Sequence, residues 1–373
     1  MTVHACDGCL RRTWLVARLG GAIEIARHEK RALRELLAMP AEQLIAALGS
    51  RAGGDVAAEL EHADPGDLRA AADAAALAAV CRHAPDYPPR LHDLRDAPAV
   101  LFVAAAADPL GRLARLAGGT VHDGAPAVSI VGARRASPEG NEIARALARG
   151  IASAGVGVVS GMALGIDSAA HAGALESGAG TVAVLAGGAD VPYPASKRAL
   201  YRRIVEHGCV VSEMPPGFTP FRWSFPARNR TIAALGQMTV VVEAAERSGS
   251  LITAEVASDL GRDVGALPGA VTSWRSKGTN ALLHDGAALV RDAGDVLDAV
   301  LGLDRHVETD VGAGLEPRLG SLLRAVTGGR DTLAALSGAP DQAQATLAAL
   351  TELELLGRLR RVAGGRYVVV PRW

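Results

Sequence analysis

The chain has 373 residues, 49% of them hydrophobic, and a formal net charge of −1 at pH 7. This predicts a globular protein of two or three domains and excludes a protein that is basic over its whole surface, so any affinity for polyanions must be local. It contains no run of eighteen apolar residues and no signal-peptide pattern, so we expect no membrane span and a cytoplasmic location.

Residues 1–80 are the first predicted domain. From residue 10 onward, Leu- and Ala-rich stretches at helical spacing alternate with helix breakers, which are Gly20-Gly21, Pro40, Gly53-Gly54 and Pro65-Gly66. The pattern predicts a small bundle of short helices of the SAM or helix-hairpin-helix type. Such a bundle is either a contact module for protein or DNA or a packing appendage, and fold alone does not decide between the two.

Four cysteines occur in the chain, too few to predict a disulfide framework in a cytoplasmic protein of this size. Cys6 and Cys9 form a C-x-x-C pair, and Cys81 with His83 completes a set of four ligand types that suit tetrahedral zinc. The alternative is that Cys81 is a core residue and that Cys6 and Cys9 lie on a frayed terminus. A structural zinc ion is therefore a candidate, and no other cofactor is predicted.

Residues 81–302 alternate short apolar runs with helical segments. After a strand-like run at 100–103, the runs lie at 127–131, 156–159, 181–185, 209–211, 239–243, 263–267 and 287–290. Near-continuous apolar strands separated by helices are typical of a parallel sheet covered on both faces. We therefore predict an α/β fold whose main domain is Rossmann-like and doubly wound, with a mostly parallel sheet.

A polar linker is predicted at 303–316, followed by a last domain at 317–373. Three helical patterns and two short strand candidates joined through Ala363-Gly364-Gly365 predict a winged-helix-like shape. The candidate recognition helix, 341–356, carries Asp341, Glu352 and Glu354 and no basic residue. A role in protein contact or dimerisation is therefore as well supported as the reading of duplex DNA.

Small-residue turns follow the predicted strands, at the edge where open α/β sheets bind ligands. The sequence lacks a P-loop motif and a dinucleotide fingerprint, so the turns favour simple phosphate binding through glycines, hydroxyls and helix N-termini. The candidate phosphate-binding residues are Gly132, Arg134, Ser137, Ser160, Gly161, Lys197, Arg198, Arg228, Asn229, Arg230, Ser248, Gly249, Ser250 and Thr253.

Two of these assignments have structural alternatives. Lys197 and Arg198 are equally consistent with a solvated helix face. Arg228 and Arg230 either clamp successive phosphates or pin their loop to acidic neighbours such as Glu213 or Glu243, and one arginine for each role is a further alternative.

The segment from Tyr193 to Arg230 holds six of the twelve aromatic residues and seven lysines or arginines. Between 195 and 235 the seven basic side chains face only Glu206 and Glu213, a local balance of +5. Exposed bases stack on aromatic rings while phosphates pair with cations, so this mixture favours single-stranded nucleic acid. The candidate stacking residues are Tyr193, Phe221 and Trp223, although part of this aromatic set is expected to be core.

Acid/base chemistry is the competing hypothesis for the same strand ends. Asp167 and His171 lie one helical turn apart, and with Glu213 and Glu243 they offer groups for a nucleotide hydrolase or nucleotide sensor. A capping Asp and a packed His explain the first two as well. A structural scaffold is a third hypothesis.

Read in order, the turns resemble the DprA (Smf) family of bacterial DNA-processing proteins. The strings that carry the resemblance are SIVGAR at 129–134, SGMALGID at 160–167, YP at 193–194, SEMP at 212–215, FPARNR at 225–230, SGSLITA at 248–254 and GTN at 278–280. One departure is Ala195-Ser196-Lys197, where the family commonly has an Asn, so the register of the basic contact near Lys197 or Arg198 is open. Arg134, Arg228 and Arg230 fall on the family's arginines.

The resemblance implies sequence-independent binding of single-stranded DNA and loading of the RecA recombinase onto it, notably on DNA taken up in natural transformation. It also implies displacement or tolerance of single-strand-binding protein, a homodimer formed through the Rossmann-like domain, no required cofactor and no catalytic reaction.

Overall fold

The protein is described by a computed structural model that covers residues 3–29, 32–118, 125–302, 315–327, 330–337, 342–362 and 365–369. These residues fall into two compact units, 1–304 and 305–373. The predicted linker at 303–316 lies almost wholly outside the described residues.

In the described part of the first unit, ten strands form one sheet in the order β1-β2-β3-β7-β6-β5-β4-β8-β9-β10. Only β3 runs antiparallel to its neighbours β2 and β7, and the other pairs are parallel. The predicted α/β fold with a mostly parallel sheet is therefore confirmed. The strands are β1 (Val3–His4), β2 (Ala78–Cys81), β3 (Val100–Ala104), β4 (Ala127–Val131), β5 (Gly157–Ser160), β6 (Val182–Val184), β7 (Cys209–Ser212), β8 (Met238–Val241), β9 (Asp263–Ala266) and β10 (Ala288–Leu289).

Helices cover both faces of this sheet because its central strands are apolar on both sides. In β4, Ala127 and Val131 join the core with α7, α11 and α12, whereas Val128 and Ile130 join the core with α8, α9 and α14. The helices are α7 (Pro109–Ala117), α8 (Pro138–Ser153), α9 (Ile166–Glu176), α10 (Arg198–His207), α11 (Ser224–Leu235), α12 (Gly249–Asp259), α13 (Lys277–His284) and α14 (Ala293–Leu301), with 3₁₀ turns at Pro89–Asp93 and Ala195–Lys197.

The N-terminal helices lie between two strands of the same sheet. They are α1 (Asp7–Arg18), α2 (Gly20–His28), α3 (Leu33–Ala38), α4 (Ala41–Ala52), α5 (Val56–His62) and α6 (Pro65–Ala74). The predicted helical region is thus bounded by β1 and β2, two strands that its sequence pattern does not indicate. β1 has only two residues, and the Ala-rich β2 follows directly on an Ala-rich helical pattern. Neither strand therefore shows a hydrophobic periodicity that distinguishes it from its surroundings.

The second unit contains three described helices and an antiparallel hairpin: α15 (Pro317–Thr327), α16 (Leu333–Ser337), α17 (Ala343–Leu355), β11 (Leu359–Val362) and β12 (Arg366–Val369). Thr332 forms an isolated β-bridge with Arg366. The hydrophobic core of this unit includes Leu323, Leu350 and Tyr367. These are the elements the sequence predicted, and their assignment as a winged helix stays a prediction. No helix in the described ranges of either unit combines the length and apolarity needed to cross a membrane.

Candidate nucleic-acid interface

The candidate interface lies where the strand order reverses. From β4 the chain proceeds through β5, β6 and β7 on one side, and then returns to β8 and β9 on the other. The loops at the carboxyl ends of β4 and β8 therefore diverge, and such switch points hold the ligands of open α/β sheets. A cavity of about 400 Å³ opens there between the turn after β4 and the start of α12.

A second, smaller cavity of about 90 Å³ continues the first toward the loop after β6. Arg134, Ala163 and Arg228 line both cavities, which therefore adjoin across the strand ends. We call the two cavities together the strand-end groove. Its principal polar and aromatic lining residues are Arg134, Arg135, Asp167, Tyr193, Phe225, Arg228, Asn229, Arg247, Ser248, Ser250, Thr253 and Trp274.

Three exposed cations give the strand-end groove its charge. Arg134, Arg135 and Arg247 are exposed, and none of them forms an ion pair with an acidic residue of the described chain. The Cζ atom of Arg134 lies 5.1 Å from the ring centroid of Phe225, which orients the side chain without neutralising it. Cations without internal partners are available to an external polyanion.

Two exposed aromatic rings border the strand-end groove. Tyr193 is 45% exposed, and its ring centroid lies 5.5 Å from that of Phe225. Trp274, in the loop after β9, is 55% exposed, and Arg275 Cζ lies 4.6 Å from its ring centroid. Trp274 and Arg247 are not among the residues predicted from the sequence, because they lie outside the aromatic and basic segment. Their positions beside SGSLITA and just before GTN would have indicated them.

The N-terminus of α12 also faces the strand-end groove. Ser248 caps the helix, since its Oγ accepts a hydrogen bond from the Ser250 backbone N–H at 3.4 Å. A Cβ built on Gly249 would have no atom of the described chain within 4 Å, so this turn is open. Asn229 Nδ2 donates to the Gly249 carbonyl at 3.3 Å. The backbone of this turn, which was predicted to bind phosphate, is accessible, whereas the Ser250 and Thr253 side chains are buried.

Other predicted phosphate contacts have internal partners. The Ser137 backbone N–H donates to Glu243 Oε2 at 2.8 Å, and Ser137 Oγ caps α8 by accepting from Gly140 N at 2.9 Å. Ser160 is buried, and its Oγ donates to the Ile130 carbonyl at 2.6 Å. The Ser137 hydroxyl therefore caps α8, the Glu243 carboxylate occupies the Ser137 backbone N–H, and a strand carbonyl accepts the Ser160 hydroxyl. The phosphate contacts predicted at these two residues are corrected to internal structural roles.

Two of the three predicted glycines, Gly132 and Gly161, make close approaches within the protein. A Cβ on Gly132 would lie 2.6 Å from Ile166 Cγ1, and a Cβ on Gly161 would lie 2.5 Å from Arg228 Nη1. Gly132 thus permits the packing of α9, and Gly161 leaves room for the Arg228 guanidinium. Both glycines thus serve contacts within the protein, and their approach to a phosphate stays a prediction.

Arg228 is buried at the floor of the strand-end groove. Its Nη1 donates to the Gly161 carbonyl at 2.6 Å and to the Val184 carbonyl, and its Nε donates to Asn229 Oδ1 at 3.2 Å. Burial lowers the pKa of Arg228 to about 10, so the guanidinium remains charged at neutral pH. The Arg228 guanidinium lines the groove, but its hydrogen bonds hold the turn after β5 and the last residue of β6.

Arg230 and Trp223 belong to a different region, which we call the buried seam together with Asp96 and Glu213. Arg230 Nε donates to Asp96 Oδ2 at 2.7 Å, and its Nη1 and Nη2 donate to the two Glu213 oxygens at 2.8 and 2.7 Å. Burial alone would lower the pKa of Arg230, but the two carboxylates raise it above its ordinary value. The predicted phosphate clamp at Arg230 is therefore corrected to an internal ion-pair network.

Trp223 is fully buried, and its Nε1 donates to the Gly20 carbonyl at 2.8 Å. It packs in one core with residues of α1, α2 and α4, so the predicted stacking of a base on this ring is corrected to anchoring of the N-terminal helices. Phe221 is 36% exposed but packs on Gly20, where a Cβ would lie 2.7 Å from the ring. It is not among the residues that line the strand-end groove.

Lys197 and Arg198 lie at the start of α10, three and four residues beyond the cis peptide bond between Tyr193 and Pro194. Arg198 is exposed, and neither side chain has an ion-pair partner among the described residues. Neither lines the strand-end groove. Their role in contacting DNA stays a prediction.

The candidate acid/base groups are not assembled into one site. His171 is fully buried, its Nδ1 lies 2.9 Å from Thr181 Oγ1, and burial lowers its pKa to about 3. Burial raises the pKa of Asp167, and no hydrogen bond within the described chain joins it to His171. Glu213 is paired with Arg230, and Glu243 accepts from Ser137. A proton relay among the four has no geometric basis here.

The predicted zinc ligands do lie together. One ligand atom from each of Cys6, Cys9, Cys81 and His83 lies within 4.8 Å of the others. The cluster is formed by the start of α1, the end of β2 and the turn after β2, far along the sequence from the turns that line the strand-end groove.

The first unit is thus a Rossmann-like sheet with a cationic groove at its switch point, bordered by exposed aromatic rings, features that are typical of sites for extended polyanions. The profile of the family described as DNA recombination-mediator protein A matches residues 78–301. The chain belongs to this family.

Relatives include a Mycobacterium tuberculosis (strain H37Rv) protein named for the DNA processing protein DprA, which is 49% identical over 197 residues. That match covers 53% of this chain and 49% of the relative, so the chain spans about half the relative's length. The DNA processing protein DprA of Streptococcus pneumoniae (strain R6) is 41% identical over 211 residues, which are 57% of this chain and 70% of that protein.

Solved structures of the same family also match this chain. The X-ray structure of DprA from Streptococcus pneumoniae matches with a TM-score of 0.60 and 32% identity, over 78% of this chain and 96% of that one. DNA processing protein A from Helicobacter pylori, studied for its single-stranded DNA binding mode, matches with a TM-score of 0.51 and 29% identity, over 58% of this chain and 93% of that one.

Proposed function

We propose that this protein binds single-stranded DNA without sequence preference in the strand-end groove. The observation that carries the proposal is that three exposed arginines, without acidic partners in the described chain, and two exposed aromatic rings lie along the strand-end groove. Arg134, Arg135 and Arg247 supply the cations, and Tyr193 and Trp274 supply the rings.

The pairing of rings with cations favours single strands over duplexes. Bases in a duplex are stacked on each other, so an exposed side-chain ring gains little there, whereas each unstacked base presents a face to it. Phosphate contacts from arginine and from the N-terminus of α12 read no sequence. The Helicobacter pylori protein, whose single-stranded DNA binding mode has been studied, supports the same ligand class for this chain.

Membership in the family further supports a role as a recombination mediator. We infer that the protein loads RecA onto the bound strand, displaces or tolerates single-strand-binding protein, and acts in the cytoplasm as a homodimer without catalysing a reaction. DNA processing in natural transformation is the setting we propose for this activity.

The DNA-binding proposal is tested by titrating a fluorescently labelled oligonucleotide, single-stranded and duplex, at two salt concentrations. We expect tighter binding of the single strand and a steep decrease in affinity with salt, since binding releases counterions. Arg134→Ala should weaken binding to all sequences and reduce the salt slope by about 0.7 for each phosphate that the variant no longer neutralises. The matched control is Arg222→Ala, since Arg222 is exposed but does not line the groove. Equal affinities for the wild type and both variants would overturn the assignment of the groove.

RecA loading is tested separately, by following RecA filament formation on single strands coated with single-strand-binding protein. We expect the wild type to accelerate filament formation and Arg134→Ala to do so less. Normal DNA binding without acceleration would overturn RecA loading while leaving the groove intact.

A further inference from the structure

The Cys/His cluster takes no part in the strand-end groove, yet its geometry is specific. His83 Nδ1 lies 3.4 Å from Cys6 Sγ and 3.4 Å from Cys9 Sγ, and the Cys6 backbone N–H lies 3.4 Å from Cys81 Sγ. Cys9 and Cys81 are buried, whereas Cys6 and His83 are exposed. Two ligands therefore line the inside of the cluster and two close it from outside.

These separations can be compared with those in a tetrahedral zinc site. Zinc binds sulfur at about 2.3 Å and imidazole nitrogen at about 2.0–2.1 Å, which at the tetrahedral angle places the two ligand atoms about 3.6 Å apart. The sulfur–nitrogen distances from Cys6 and Cys9 to His83, both 3.4 Å, lie within about 0.2 Å of that value. All four ligand atoms lie within 4.8 Å of one another, so shifts of about 1 Å or less would let the side chains surround an ion.

The local backbone also suits thiolate ligands. Cys6 is the N-cap of α1 and Cys9 lies in its first turn, where the unpaired N–H groups and the helix dipole stabilise negative charge. The N–H of Cys6 points at the Cys81 sulfur, a contact that becomes stronger once the sulfur is charged. Asp7, between the two cysteines, is held by Arg69 at 2.5 Å, so its charge is neutralised beside the cluster.

We propose that Cys6, Cys9, Cys81 and His83 bind one zinc ion in a structural site. All four coordination positions are filled by protein atoms, which is typical of structural zinc and leaves no position for a substrate. The ion joins the start of α1 to the end of β2 and the turn after it. It therefore fastens together the two ends of the helical region α1–α6, and holds this region to the edge of the sheet.

The test uses the full-length protein, purified under reducing conditions, with metal content measured by mass spectrometry. We expect about one zinc per chain in the wild type and in the control Cys209→Ser, since Cys209 is buried in β7 outside the cluster. Cys6→Ser and His83→Ala should release most of the zinc, because each removes one of four ligands. Both replace exposed side chains, and circular dichroism and gel filtration check that the variants remain folded.

Cobalt substitution provides a readout that does not depend on the variants. Cobalt added to the zinc-free wild type should give the thiolate charge-transfer and intense visible bands of a tetrahedral site, and added zinc should displace it. Removal of the metal should make residues 7–74 more sensitive to protease before the sheet is cut. A wild type without zinc that gives no tetrahedral cobalt spectrum would overturn the proposal. So would equal zinc release from Cys209→Ser and Cys6→Ser.

Discussion

The strand-end groove and the buried seam contain the same residue types, and both draw side chains from residues 193–230, but their chemistry differs. In the groove, Arg134 is exposed and has no acidic partner in the described chain, whereas in the seam Arg230 is enclosed by Asp96 and Glu213. Tyr193 is 45% exposed, and Trp223 is fully buried. Exposure and charge compensation, and not residue type, decide which arginine and which ring are available to a ligand.

The largest effect we expect comes from the seam. Arg230→Ala leaves two buried carboxylates without their cation and should lower the free energy of unfolding by about 3–5 kcal/mol. Urea denaturation followed by circular dichroism measures this. The exposed control Arg222→Ala should change stability by no more than about 0.5 kcal/mol. If Arg230→Ala left stability unchanged but abolished binding of DNA, Arg230 would belong to the groove after all.

A second buried group should show its effect through pH. The folded pKa of His171 is about 3, below the ordinary value of 6.5, so the unfolded chain takes up a proton that the folded one excludes. Its contribution to stability is complete above about pH 6.5 and decreases as the pH falls from there toward 3, by about 2 kcal/mol between pH 7 and pH 5.

The measurement compares urea denaturation of the wild type and His171→Asn at both pH values. Asparagine retains a polar atom near the Thr181 hydroxyl but does not titrate. The variant should therefore be destabilised less than the wild type on acidification, whatever its absolute stability. An equal decrease in both proteins would show that His171 is protonated in the folded state.

Substitutions in the strand-end groove should change the affinity for DNA and not the stability of the protein. Tyr193→Ala removes an exposed ring and should weaken binding of single-stranded DNA by about 1 kcal/mol, roughly fivefold, with little change in unfolding. Trp274→Ala should act in the same way at the other side of the groove. Oligonucleotide titration measures the affinity, and urea denaturation measures the stability. A decrease in stability without a decrease in affinity would show that Tyr193 has a structural role, like Trp223 in the buried seam.

The smallest effect is expected at the start of α10. Arg198 is exposed but does not line the groove, so Arg198→Ala should weaken DNA binding less than Arg134→Ala, by under about 1 kcal/mol. Titration of both variants in parallel measures the difference. A larger decrease in affinity for Arg198→Ala would extend the DNA path beyond Tyr193 toward α10.

Much of the fold was predictable from the sequence because the strands β4 to β9 are short apolar runs bounded by turns. The order of those turns also identified the family. Burial was harder to predict. An ion pair between Arg230 and Glu213 was one of the alternatives that the sequence offered. What favours it over phosphate binding is Asp96, a second carboxylate that lies 134 residues away in sequence. The burial of Trp223 depended likewise on Gly20, 203 residues away.

Other features lacked a local signal. Ser137 is a recognisable N-cap, but nothing near it indicates that Glu243, 106 residues later, occupies its backbone N–H. Trp274 is a lone aromatic in a polar loop, and only the sheet order brings it beside Arg247 and Ser248. The Cys/His cluster was predictable in part, since its residue types were evident while the meeting of its two halves required β1 and β2 to be neighbours.

The most direct test of the groove is photo-crosslinking with single-stranded oligonucleotides that carry bromodeoxyuridine, followed by mass spectrometry of the attached peptides. We predict crosslinks to Tyr193 and Trp274, because these exposed rings border the strand-end groove, and none to the buried Trp223. Crosslinks confined to Trp223 or to the second unit, with Tyr193 and Trp274 unmodified, would contradict binding of DNA in the strand-end groove.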